Sequence, residues 1–200
     1  MVFFRRAPAQ PRSLAVFPGT FNPPTRAHLA LARAALRSVD EVLFVLPRAF
    51  PHKGYTGAPF EDRVRMLAAA VEDEPRFSIA ASDGGLFIEI AGECRQAYGP
   101  DVDLLILCGR DAAERAATWD YGDAGTFRDQ LREYGLLVAP RLGAYQPPAE
   151  FAGRIRALAG VEGCDEISAT EVRDRIRRGE PWEDLVPEPA VELVRGIYCA

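Results

Sequence analysis

The chain has 200 residues, about half of them apolar, and a formal net charge of −5. That length suits one packed core, while the negative balance argues against a protein that lives on nucleic acid, where distributed phosphate neutralisation carries the affinity. Cys94, Cys108, Cys164 and Cys199 are widely separated, without spacing suited to zinc. With no signal-peptide core and no apolar run of membrane-spanning length, the expectation is a soluble cytoplasmic protein with free thiols.

Residues 1–12 read as a flexible segment, and 13–200 as a single domain. Ser13 to Phe17 is a buried strand. A turn dense in Gly and Pro follows, then a helix from Arg26 to Val39 with Arg26, Arg33 and Arg37 on one stripe. Glu41 to Leu46 is a second apolar strand, ending in a loop over 47–59 that carries His52 and Lys53. Phe60 to Glu72 is helical, and Arg76 to Ala80 a short strand. Gly84 to Tyr98 leans to helix. Asp103 to Cys108 is a central strand, followed by Gly109-Arg110-Asp111 and a short helix ending near Trp119. Phe127 to Tyr134 is a helix stopped by Gly135, and Leu136 to Ala139 a strand. The segment 154–164 fits no element well. Ser168 to Arg178 is a helix with a Ser168/Glu171 capping box and Gly179 as its stop, and Pro189 to Ile197 a last helix. Continuous apolar strands alternating with helices imply an α/β fold, Rossmann-like and doubly wound, with a mostly parallel sheet covered on both faces. Ligands of such sheets bind beyond the carboxyl ends of the strands, here after residues 17, 46 and 108.

The most informative stretch is LAVFPGTFNPPTRAHLALARAAL, from Leu14 to Leu36. A tight turn between a strand and a helix N-terminus is an anion site before any side chain is considered, because the first free N–H groups and the positive pole of the helix dipole point out of it. Gly19 permits a sharp turn and close approach. Thr25 is the natural N-cap, and His28 lies one turn above it. A second capped helix start, Ile167-Ser168-Ala169-Thr170-Glu171-Val172-Arg173, brings free N–H groups, a hydroxyl and a guanidinium to one spot. Each alone is an ordinary capped helix. Lys53 is the sole lysine beside 23 arginines, which singles it out further, although a solvated loop also accounts for a His-Lys pair.

Gly19-Thr20-Phe21-Asn22-Pro23-Pro24-Thr25-Arg26-Ala27-His28 resembles the first signature of the nucleotidylyltransferase superfamily, with Ala27 where the signature carries glycine. Ile167-Ser168-x-Thr170-x-x-Arg173 resembles the second. Gly109-x-Asp111…Trp119 is similar to a segment of nicotinate and nicotinamide mononucleotide adenylyltransferases, although Trp119 as a core aromatic remains an alternative. The resemblance implies adenylyl transfer from ATP, accompanied by Mg²⁺, to a pyridine mononucleotide in NAD biosynthesis, nicotinate mononucleotide being the favoured acceptor. It implies His28, Lys53 and Arg173 as catalytic residues. Gly19, Thr20, Phe21, Thr25, Ser168, Thr170, Gly109 and Asp111 would join His28 and Arg173 around ATP, and Trp119, His52 and Asn22 would bind the acceptor. No protein ligand set for a metal is expected. One departure bears on the acceptor: where many nicotinate mononucleotide enzymes carry Ser-Tyr-Thr, this chain reads Ser82-Asp83-Gly84-Gly85-Leu86-Phe87. The rival readings are transfer to phosphopantetheine or to a sugar or alcohol phosphate, and a nucleotide-binding regulatory module without turnover.

Overall fold

A computed structural model of the chain describes residues 1–49, 55, 57–122, 125–140, 145–161 and 167–199. The strands are β1 (Val2–Arg5), β2 (Ser13–Pro18), β3 (Glu41–Pro47), β4 (Phe77–Ser82), β5 (Asp103–Gly109), β6 (Gly135–Ala139) and β7 (Ile155–Ala157). The helices are α1 (Arg26–Ala35), α2 (Phe60–Ala70), α3 (Phe87–Tyr98), α4 (Arg110–Thr118), α5 (Phe127–Glu133), α6 (Ala169–Arg178) and α7 (Val191–Tyr198). The strands form one sheet in the order β1-β4-β3-β2-β5-β6-β7. All neighbours are parallel except β1, which runs antiparallel to β4.

Alternation along the strands explains the two layers. Ala15 and Phe17 of β2 and Val42, Phe44 and Leu46 of β3 face one core, closed by Leu29 of α1, Met66 of α2, Val172 of α6 and Val194 of α7. Leu14, Val16, Leu43 and Val45 face the other, closed by Ile90 of α3, Ala113 of α4 and Leu131 of α5. The chain first adds strands on one side of β2 and then, from β5 onward, on the other. The crevice beyond the ends of β2 and β5 is therefore the topological switch point, where such sheets take ligands.

Three expectations are corrected. The N-terminal segment is not wholly irregular: Val2–Arg5 is an edge strand. Arg5 donates to the carbonyls of Val71 (2.6 Å) and Glu74 (2.9 Å), and Phe3 meets Tyr98 edge-on with ring centroids 5.8 Å apart. These partners lie 66 to 95 residues away, out of reach of local pattern. Gly135 does not stop α5 but opens β6, where it is buried. The segment that fitted no element contains β7, three residues long with Arg156 exposed, too short and too polar to read as a strand. The lean to helix in 84–98 holds as α3. Among the described residues no helix is long and apolar enough to cross a membrane.

Gly135 shows how tightly β6 is packed. A Cβ there would meet Leu105 Cδ2 at 2.7 Å and the Arg154 carbonyl oxygen at 2.8 Å. The backbone contact cannot yield cheaply. Gly135→Ala is therefore expected to cost ~1–3 kcal/mol, measured as a lower denaturant midpoint at unchanged m; an unshifted midpoint would show that β6 is looser than described.

Candidate active site

The turn after β2 is shaped by where Phe21 goes. Phe21 has φ 46°, a left-handed conformation that a bulky residue adopts at a cost of ~1–2 kcal/mol. In exchange its ring turns inward, 1 % exposed, against Phe17 (5.6 Å), Phe44 (5.5 Å) and the imidazole of His28 (5.2 Å). The inward ring passes so close under Gly19 that a Cβ there would lie 2.8 Å from Phe21 Cζ. Gly19 and Phe21 are thus one device: the glycine is bare because the aromatic ring lies beneath it. Gly19 N–H also donates to the Val45 carbonyl at 2.9 Å, pinning the turn to β3.

His28 is held by its own helix cap. Thr25 is the N-cap of α1. Its backbone N–H donates to His28 Nδ1 at 3.0 Å, and its Oγ1 lies 2.8 Å from the same nitrogen. A backbone N–H can only donate, so Nδ1 carries the lone pair and the proton of the neutral ring sits on Nε2. Burial among Phe17 and Phe21 lowers the imidazole pKa to about 4, so the ring is uncharged at neutral pH in the unliganded protein.

The second capped helix start meets this turn. Ser168 Oγ accepts the Glu171 N–H at 3.1 Å as N-cap of α6. The expected reciprocal half of the capping box is replaced by an ion pair, since the Glu171 carboxylate takes Arg175 Nε at 2.8 Å. Arg173 donates to the Asn22 carbonyl (2.5 Å), the Ala169 carbonyl (3.0 Å) and Thr170 Oγ1 (3.2 Å). The ends of α1 and α6 are therefore brought to one turn, with Arg173 between them.

Beside that turn, across the switch point, lies a cavity of about 260 Å³. Pro18, Gly19 and Thr20 line it from the end of β2 and the turn after it, Cys108 and Gly109 from β5, and Trp119 and Tyr121 from the segment after α4. Gly19, Thr20, Gly109 and Trp119 were all expected at the site, and the structure brings them together. Trp119 is a half-buried wall of this cavity rather than a core aromatic. Asp111 lies exposed in the first turn of α4, immediately beyond Gly109. The Cys108 thiol, pushed up to about 12 by burial, is a neutral wall rather than a nucleophile.

Other expected residues stand behind the cleft. Phe21 is a core ring supporting His28. Thr25 is fully buried and committed to His28, so it positions the imidazole instead of offering its hydroxyl to a phosphate. Asn22 is 3 % exposed, and its Oδ1 accepts from the Ala58 N–H (3.1 Å) and from the Tyr198 hydroxyl. That engagement takes it away from an acceptor and makes it a tie between the turn and α7. His52 and Lys53 lie outside the described residues. Sequence reasoning missed Arg63, buried in α2, whose guanidinium donates to the Thr20 carbonyl at 3.1 Å and stacks on Tyr55. An arginine on the same helix face as Met66, Leu67 and Ala70 was the available signal. It also missed Arg115 and Tyr121 on the cavity wall.

Residues 16–175 match the family model described as Cytidylyltransferase-like. The chain is 36% identical over 183 residues to a probable nicotinate-nucleotide adenylyltransferase of Solibacter usitatus, covering 87% of this chain and 92% of that protein. It is 32% identical over 195 residues to one of Thermus thermophilus, covering 92% and 98%. Among solved structures, Plasmodium falciparum nicotinic acid mononucleotide adenylyltransferase complexed with NaAD superposes with a TM-score of 0.71 at 13% identity, over 92% of this chain and 95% of that one. That likeness is one of fold. With the family model spanning most of the chain and curated relatives above 30% identity over nearly their full length, this protein belongs to the cytidylyltransferase-like family of nucleotidylyltransferases.

Proposed function

We propose that the protein is an adenylyltransferase that joins the AMP moiety of ATP to a pyridine mononucleotide, nicotinate mononucleotide by preference, with release of pyrophosphate, in the cytoplasm as a step of NAD biosynthesis. Residues 13–200 act in this reading as one catalytic domain. The observation that carries it is the hydrogen bond from Arg173 to the Asn22 carbonyl. It sets two helix N-termini and a guanidinium around one turn, an arrangement suited to a triphosphate. The apolar cavity alongside, walled by Trp119 and floored by Gly109, suits a flat heteroaromatic ring.

In the reaction, a phosphate oxygen of the mononucleotide attacks the α-phosphorus of ATP in line, the bond to the bridging oxygen breaks, and pyrophosphate leaves. The neutral His28 offers Nε2–H to phosphate oxygens as charge moves onto the leaving group, while Nδ1 stays anchored on Thr25. Thr20, Ser168, Thr170, Arg173 and Lys53 hold phosphates, and Asp111 takes ribose hydroxyls. Gly19 and Gly109 let the backbone come close. Among the described residues no cluster of three His, Cys, Asp or Glu side chains could cage an ion. A Mg²⁺ accompanying ATP would be carried mainly by phosphate oxygens and water and would offset the charge of the triphosphate.

The direct test is pyrophosphate release from ATP and Mg²⁺ with nicotinate mononucleotide, nicotinamide mononucleotide and phosphopantetheine supplied separately. Release with a pyridine nucleotide is expected. Release with phosphopantetheine alone, or ATP binding without release, would move the assignment to another acceptor or to a regulatory pocket.

His28→Gln is expected to leave folding intact and lower turnover by about 10²–10³-fold; a near-normal rate would remove His28 from the mechanism. The imidazole also gives a pH signature. Its folded pKa, about 4, lies below the ordinary 6.5. The neutral ring's contribution to stability is thus complete above pH 6.5 and lost as pH falls from there through 4, where the unfolded chain binds the extra proton. Thermal midpoints should fall more steeply across that window in wild type than in His28→Gln, and parallel curves would contradict a ring kept neutral by desolvation.

A further inference from the structure

The cavity wall carries an unassigned charge. Among the described residues lining it, Arg115 is the only charged side chain; the rest are apolar, small or uncharged, including Phe17, Leu86, Phe87 and Trp119. Arg115 lies on α4 four residues before Trp119, one turn away along the cavity wall. It is exposed at the rim, and no described carboxylate pairs with it. Several surface arginines are tied, Arg128 to Glu150 at 2.7 Å, Arg33 to Asp73 at 2.7 Å and Arg178 to Glu180 at 2.8 Å, so it is its place on the cavity wall that sets Arg115 apart.

On another stretch of the cavity wall several backbone donors are already engaged. Gly85 and Leu86, which open α3 onto the cavity, give their backbone N–H groups to Glu89 Oε2 at 2.8 and 2.9 Å. The N–H groups of Asp83 and Gly84 just before them go to Glu93 Oε1, each at 3.0 Å. The stretch leading into that helix is thus already supplied with carboxylates by the chain itself. For an anionic substituent on a ring bound against Trp119, the Arg115 guanidinium is the charged partner among the described lining residues, and its planar fork matches a carboxylate.

We propose that Arg115 is a specificity-determining residue for the acceptor, pairing with the ring carboxylate of nicotinate mononucleotide and so selecting it over the uncharged carboxamide of nicotinamide mononucleotide. This rests on the adenylyl-transfer reading above. A carboxamide can accept from the guanidinium but gains no charge pairing, so discrimination should come from the charged bond alone.

The test is dinucleotide formation by wild type, Arg115→Gln and Arg115→Lys with each pyridine nucleotide at saturating ATP and Mg²⁺. Wild type should favour nicotinate mononucleotide. Arg115→Gln should lower kcat/KM for it by about 10- to 100-fold, acting mainly on KM. The KM for ATP and the kcat/KM for nicotinamide mononucleotide should stay within about threefold of wild type. Arg115→Lys should restore part of the loss, because it returns the charge without the fork. An unchanged preference in Arg115→Gln, an equal loss for both nucleotides, or a wild-type preference for the amide overturns the assignment while leaving adenylyl transfer standing. No product from wild type with either nucleotide overturns both.

Discussion

Much of this molecule depends on the contact between the ring of Phe21 and the imidazole of His28, 5.2 Å apart at the end of β2. The ring reaches that place only because Phe21 takes a left-handed backbone and Gly19 has no Cβ. It then shields one side of the imidazole while Phe17 shields another, and the Thr25 N–H fixes Nδ1. Desolvation keeps the ring neutral and the cap selects its tautomer. A single donor, Nε2–H, is thereby presented in a fixed direction, and that preorganisation lets a hydrogen bond act on a developing charge without first having to reorient. The same turn anchors the C-terminal third of the chain, since Asn22 receives Arg173 from α6 and Tyr198 from α7. Fold and site share these bonds, so the two helix ends cannot drift apart without breaking the turn itself.

The parallel sheet and its cleft were legible in the sequence for a physical reason. Strands buried on both faces write long apolar runs, as Glu41 to Leu46 and Asp103 to Cys108 do, and a Gly/Pro-dense turn before a capped helix is a local signal. Thr25 and Ser168 were readable as caps because capping depends on neighbours in the chain. What could not be read depends on distant neighbours. The strand at Val2–Arg5 exists through Val71, Glu74 and Tyr98; the bareness of Gly135 reflects the backbone of Arg154. The same divide runs through the site. Gly19, Thr20, Gly109 and Trp119, singled out by motif, line one cavity. Phe21, Thr25 and Asn22 carry the motif too, yet they serve it from behind, and only packing reveals that.

This division of labour defines the chemistry. The groups that face the cleft are donors and small residues, while the groups that hold them are buried and fully engaged. No activated nucleophile stands among the described cleft residues: the Cys108 thiol is buried with a pKa of about 12, and His28 Nδ1 is occupied by Thr25. Rate enhancement in such a site comes from holding two phosphates in line and stabilising the charge that moves between them. Arg63 illustrates how far that holding extends, since its guanidinium, sandwiched against Tyr55, fixes the carbonyl of Thr20 from outside the cleft.

The configuration at the α-phosphorus after one turnover bears most directly on transfer without a covalent intermediate. With a single diastereomer of adenosine 5′-O-(1-thiotriphosphate) and nicotinate mononucleotide, direct in-line attack by the mononucleotide phosphate inverts that centre, and inversion in the dinucleotide product is the result expected here. Retention would mean two displacements through an adenylylated side chain, and would contradict a site that works by position and charge alone.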